Sequence, residues 1–238
     1  MKARYLHDWQ MTPDQAKNTQ KELAKMVSRR NEVNAVSLVA GVDISAPDAK
    51  GIAKAAVVIL SYPELNLVES KVITKEVTFP YVPGLLSFRE SPLILAACEE
   101  LKGTPDLIMV DGQGLAHPRR LGLASHLGLL WDKPTIGCAK SRLCGEHRMI
   151  PPEAGSYVNL IDNGEIVGAV LRTKMDAAPL YISIGHRIDL ETAITWVLRC
   201  CRNQRLPEPT RWAHLAASGR LEVPKPLKTK TEQMKLAI

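Results

Sequence analysis

The chain has 238 residues, 45% of them hydrophobic, which is enough for a sizeable core, and 31 Lys+Arg stand against 25 Asp+Glu for a formal net charge of +6. That balance is compatible with a polyanionic partner without requiring one. No apolar run approaches the ~18 residues of a membrane helix and MKARYLHDWQ has no signal-peptide core, so a cytoplasmic protein with no membrane association is expected; the five cysteines (Cys98, Cys138, Cys144, Cys200, Cys201), odd in number and without C-x-x-C spacing, indicate neither a disulfide framework nor a zinc knuckle.

In chain order, Thr12 to Arg30 predicts a helix, with Thr12 as N-cap, Pro13 at the first helical position, and Ala16, Leu23, Ala24, Met26 and Val27 on its apolar face. Ser37 to Ile44 (SLVAGVDI) predicts a buried strand carrying Asp43, and Ala53 to Leu60 and Leu65 to Val77 predict two more after short turns. Short links between three successive strands imply an antiparallel meander. Pro80 and Pro83 then stiffen a loop around Tyr81 and Val82 before a helix from about Leu86 to Leu101.

Leu107 to Val110 predicts a short buried strand that runs into Asp111, Gly112, Gly114, His117, Arg119 and Arg120. A helix from about Arg119 to Leu130, a strand from Thr135 to Cys138, Lys140 and a charged loop up to Pro152 follow. Strands alternating with helices imply parallel pairing in this half. A hairpin, Glu165 to Thr173 with Leu180 to Ile184, leads to a helix from Leu190 to Cys201 with Asp189 as N-cap. The expected architecture is α/β: one central mixed sheet, an antiparallel three-stranded meander followed by parallel strands, flanked by helices. Residues 1–222 form one domain in this reading, and 223–238, with four lysines and two prolines, form a basic, disordered tail.

Three carboxylates stand beside apolar neighbours: Asp43, Glu90 and Asp111. Acids buried together must be protonated, paired or bound to a cation, and an all-oxygen set selects Mg²⁺ or Mn²⁺ over zinc. Asp111, ending a buried strand before a glycine-rich turn, stands where open α/β sheets place ligands, or else caps the next helix. Asp43 can equally serve a turn and Glu90 a salt bridge; the separation of 68 positions from Asp43 to Asp111 matches no local ligand signature.

The segments GVDIS around Asp43, PYVPGLLSFRE (80–90), VDGQGLAHPRRLGLASHLGLL (110–130), PTIGCAKSRLCG (134–145), YISIGHRI (181–188) and LPEPTRWAHLAA (206–217) resemble endonuclease V, the deoxyinosine 3′ endonuclease family, over nearly all of residues 11–217. The resemblance implies an RNase H-like fold and Mg²⁺-dependent hydrolysis of the second phosphodiester bond 3′ to a deaminated base in double- or single-stranded DNA, leaving 3′-OH and 5′-phosphate. Mn²⁺ would substitute for Mg²⁺.

By the same resemblance the metal carboxylates fall on Asp43, Glu90 and Asp111. His214 matches a fourth catalytic position, where some members carry Asp, and Lys140 matches a position that faces the active site, where it either steadies the scissile phosphate or is a solvated charge. Pro80, Tyr81, Val82 and Pro83 match the wedge that enters the duplex, although an aromatic between prolines can also pack a loop onto the core. The base pocket is expected near Gly84, Leu85, Gly112, Leu115, Gly137 and Ser183, with main chain approaching the base. Arg89, Arg119, Arg120 and Arg142 are expected on backbone phosphates or else as solvated surface charges, and His117 either on a phosphate or capping the next helix. The protein is expected to act as a monomer.

Three rivals follow. One is another RNase H-like nuclease or resolvase, which keeps the acids but needs neither wedge nor pocket. Another is an endoribonuclease whose main substrate is inosine-containing RNA, and the third is a nucleic-acid-binding module without a metal site, against which the intact acids argue.

Overall fold

A computed structural model of the chain describes residues 1–221. The region assigned to a basic tail lies outside the described residues. Eight strands form one sheet: β1 (Leu38–Ile44), β2 (Ile52–Ser61), β3 (Leu67–Glu76), β4 (Leu107–Val110), β5 (Thr135–Ala139), β6 (Tyr157–Asp162), β7 (Glu165–Leu171) and β8 (Leu180–His186). Their spatial order is β3-β2-β1-β4-β5-β8-β7-β6. Strands β1 to β3 make the expected antiparallel meander, β1, β4 and β5 run parallel, and β5, β8, β7 and β6 pair antiparallel. The architecture is α/β and RNase H-like, with a mixed sheet flanked by helices.

The five helices are α1 (Pro13–Ala24), α2 (Leu86–Glu99), α3 (Leu123–Trp131), α4 (Leu190–Arg199) and α5 (Glu208–Ala217). Alternation along the central strands decides the layering. In β4, Leu107 and Met109 face a core shared with α4 and α5, while Ile108 and Val110 face a second core shared with α2 and α3. A strand covered on both faces reads as a continuous apolar run, which is why its four residues are all buried.

Several boundaries differ from expectation. Helix α1 keeps Thr12 as its cap, with a capping box completed by Gln15, but stops at Ala24 instead of Arg30. Helix α3 starts at Leu123 rather than Arg119, and its N-cap position is Gly122, so neither Asp111 nor His117 caps it. Strand β6 and helix α5 were not anticipated: β6 sits at the sheet edge with a half-exposed pattern, and α5 is a ten-residue helix with Pro at its start. No helix among the described residues is long and apolar enough to cross a membrane.

Candidate active site

The sheet brings two acids together by register. Val42 of β1 is paired with Val110 of the parallel strand β4, so the next residues on each strand, Asp43 and Asp111, leave side by side at one end. The Asp111 amide donates to the Val42 carbonyl at 2.9 Å, which ties the two strand ends together. Helix α5 crosses β1 at Gly41, where an added Cβ would lie 1.8 Å from the Pro209 carbonyl oxygen. Only a glycine permits that approach. The approach places His214, in the last turn of α5, over the acids, and its Nδ1–H donates to Asp43 Oδ2 at 2.8 Å. Arg220 in turn donates to His214 Nε2 at 3.3 Å, which agrees with that tautomer.

Asp43, Asp111 and His214 each offer a ligand atom, and these atoms lie within 4.8 Å of one another. The Lys140 ammonium, just beyond β5, ion-pairs with Asp111. Glu90, on α2, stands outside this triad yet senses it: burial first, then the charges of Asp43 and Asp111, push its carboxyl up to about 8. Asp43 is also raised, by burial and then by Asp111, against the opposing pull of His214 and Lys140. Buried acids held this close together, with Asp43 and Glu90 both raised, fit a divalent cation. The oxygen-rich donor set with one imidazole suits a hard or borderline ion.

The loop between β3 and α2 leads into the helix that carries Glu90. Tyr81 is 72% exposed there, free of the core, whereas Val82 packs against the cluster of Ala16, Phe79, Leu85 and Phe88. Pro80 and Pro83 are exposed on either side. The loop is anchored at Gly84, whose φ of +79° favours glycine. Three donors converge on its carbonyl: Gln20 Nε2 at 3.0 Å, His117 Nε2–H at 3.0 Å and Arg119 at 2.8 Å. Burial and the Arg119 charge push the His117 imidazole down to about 4, so the ring is neutral, and its Nδ1 accepts from the Arg119 amide.

Under this loop is a cavity of about 160 Å³, lined among others by Tyr81, Pro83, Gly84, Leu86, Ser87, Gln113 and Leu143. Of the six residues expected to line a base pocket, Gly84 does so. Leu85 and Leu115 are instead buried in separate core clusters. The Ser183 hydroxyl is spent on the Gly114 amide at 2.8 Å, Gly137 is packed against that same amide, and Gly112 lies against Leu123. Gln20, Leu86, Gln113 and Leu143 were not singled out from the sequence, and a glutamine in a helix or a leucine in a charged loop carries no periodic signal of a pocket. A larger groove of about 1200 Å³ along β6 includes none of the triad.

The cations expected on phosphates differ in freedom. Arg89 donates to the Phe79 carbonyl, and Arg119 to Gln20 and Gly84. Arg120 is paired with both Asp162 and Glu165. Arg142 is exposed and has no ion pair among the described residues.

The endonuclease V family profile matches residues 21–215. An endonuclease V of Dehalococcoides mccartyi is 56% identical over 218 residues, which cover 92% of this chain and 98% of that protein. The chain belongs to the endonuclease V family. Among solved structures of the family, the endonuclease V of Streptomyces avermitilis is 38% identical with a TM-score of 0.85, covering 92% of this chain and 97% of that one. That of Ciona intestinalis, 27% identical with a TM-score of 0.71 over 94% of this chain and 98% of its own, is in complex with a 24mer DNA containing an inosine followed by a ribo-adenosine. Endonuclease V is a nuclease family, and the acid–histidine triad lies within the matched residues.

Proposed function

We propose that this chain is a Mg²⁺-dependent repair endonuclease, for which Mn²⁺ substitutes, that recognises deaminated bases, chiefly hypoxanthine in DNA, and hydrolyses the second phosphodiester bond on the 3′ side. The observation that carries this reading is the Asp43–Asp111–His214 triad, with a base-sized cavity lined by the Tyr81 loop and by Gln113, two residues past Asp111. When bound, the cation supplies Lewis acidity toward the scissile phosphate and the attacking water. Asp43, Asp111 and Glu90 would hold it, with His214 orienting Asp43 through its Nδ1–H. Lys140 steadies the phosphate oxygen facing Asp111. No protein nucleophile is needed.

Tyr81, exposed and stiffened by its flanking prolines, fills the gap in the stack when the damaged base leaves it. Extrusion costs a few kcal/mol, less for a weakly paired base, so selection begins at the stack. Arg142 contacts a backbone phosphate.

The test incubates the full chain and Mg²⁺ with duplexes carrying one deoxyinosine or none, and with an inosine-containing RNA. The expected product is a nick one nucleotide beyond the inosine's own 3′ phosphate, with 3′-OH and 5′-phosphate ends. It is lost in EDTA, and in Asp43→Ala it falls by more than ~100-fold, beyond the usual effect of an outer-shell residue. Equal cutting of the inosine-free duplex overturns lesion specificity, and faster cutting of the RNA moves the assignment to an endoribonuclease.

A further inference from the structure

The Lys140 carbonyl, at the point where β5 gives out, is held by a side chain from a distant part of the chain. Pairing of β5 with β8 ends with Ala139 opposite Tyr181. The residues ahead of β8 include Pro179, which has no N–H to carry the ladder further. Arg205 supplies donors in its place. Its Nη2 donates to the Lys140 carbonyl at 2.9 Å and to the Pro179 carbonyl at 3.0 Å, and its Nε donates to the Ala178 carbonyl at 2.8 Å. All of its side-chain bonds among the described residues go to main chain. A guanidinium suits this task because its planar fork reaches several carbonyls at once.

The clamp is itself fixed. The Arg205 carbonyl accepts from the hydroxyl of Thr173, a buried residue just past β7, at 2.6 Å. Arg205 lies between α4 and α5, three residues ahead of the helix that carries His214. From the other side, Gln113 Nε2 donates to the Ser141 carbonyl at 2.9 Å, and Gln113 is two residues past Asp111. Lys140 and Ser141 are therefore pinned in succession, one from the α4–α5 link and one from the turn that carries Asp111.

A lysine ammonium sits at the end of a flexible four-carbon stem, so its place depends on where its backbone is held and on the partner it meets. That partner is Asp111, with which the Lys140 ammonium forms an ion pair. We propose that Arg205 is the positioning residue for Lys140: by clamping the Lys140 carbonyl to the segment ahead of β8, it sets the ammonium between Asp111 and the scissile phosphate. This rests on the reading that Lys140 steadies that phosphate. Arg205 acts through Lys140 and does not meet the substrate.

The test is a double-mutant cycle on single-turnover nicking of the inosine duplex with Mg²⁺, comparing the parental chain, Arg205→Ala, Lys140→Ala and the double variant. Saturating protein makes the rate independent of the folded fraction. Arg205→Ala is expected to lower the rate by about tenfold or more, because a small misplacement of a group at the reacting centre costs that much. In the Lys140→Ala background the same substitution is expected to change the rate by less than about twofold, since nothing remains to be positioned. With Lys140→Ala slow, an equal fall in both backgrounds, or no fall from Arg205→Ala, overturns the proposal and leaves the Lys140 reading standing. Lys140→Ala at the parental rate overturns the Lys140 reading, and the proposal with it. Without Mg²⁺, affinity for the duplex should fall no further in Arg205→Ala than in Lys140→Ala; a larger fall places the guanidinium on DNA and overturns the proposal. If Arg205→Ala does not fold, Arg205→Lys, which keeps the charge but loses the fork, takes its place with the same expectation of non-additivity.

Discussion

His117 was a choice between phosphate contact and helix cap when read as a sequence, and its surroundings make it a neutral brace for the Gly84 carbonyl. Burial holds its imidazole at about 4 against an ordinary 6.5. Unfolding lets the ring take up a proton anywhere between those values. Its contribution to stability is thus complete above pH 6.5 and is lost as pH falls toward 4, roughly 2 kcal/mol of it by pH 5. NMR titration of the ring should give a midpoint near 4, and the drop in urea midpoint between pH 7 and pH 5 should be smaller in His117→Asn; a ring titrating near 6.5 would contradict the brace. The three acids were visible as isolated carboxylates in apolar surroundings, because an acid beside strand residues is conspicuous. Gln113 and Gln20 were not, because an uncharged amide gains its meaning only from what stands across from it.

At the level of elements, α5 decides whether His214 reaches Asp43, and its seat is Gly41. An added methyl there meets main chain at 1.8 Å, which no side-chain rotation relieves. Gly41→Ala should cost about 2–3 kcal/mol in urea unfolding, and nicking should fall further than the folded fraction does, as His214 moves off Asp43; a variant with parental stability and rate would refute this seat. The Tyr81 loop gives the opposite expectation. Because the ring is 72% exposed, Tyr81→Ala should leave stability within ~0.5 kcal/mol and Mg²⁺ affinity by calorimetry unaltered, while the inosine-over-normal nicking ratio drops. The meander, α2, α4 and the central strands could be read from apolar runs, prolines and caps. Helix α5 had its signal, Pro207, Glu208 and Pro209 ahead of an alanine-rich stretch, but its mean hydropathy is nearly neutral, so no apolar run marks it. Strand β6 at the sheet edge alternates weakly, since one neighbour and partial solvent exposure relax the demand for apolar residues.

For the molecule as a whole, a net charge of +6 sets an attraction for polyanions that salt should weaken. Affinity for an inosine duplex should fall linearly on logarithmic axes, with a slope of about −0.9 per phosphate neutralised. Arg142→Ala should reduce that slope by about one, and Arg120→Ala, already paired with Asp162 and Glu165, should leave the slope and lower stability instead. Equal slope changes in both variants would refute the distinction. Read alone, the chain specified its layers, its strand types and the three acids, because periodicity and burial are local consequences of residue type. The company those residues keep was settled only by folding. Parallel register sets Asp43 beside Asp111 across 68 positions of sequence, a missing Cβ lets α5 bring His214 over them, and the loop closure at Gly84 gathers Gln20, His117 and Arg119 from two other elements. Contacts of that range depend on geometry in three dimensions, and a pattern along one dimension does not contain it.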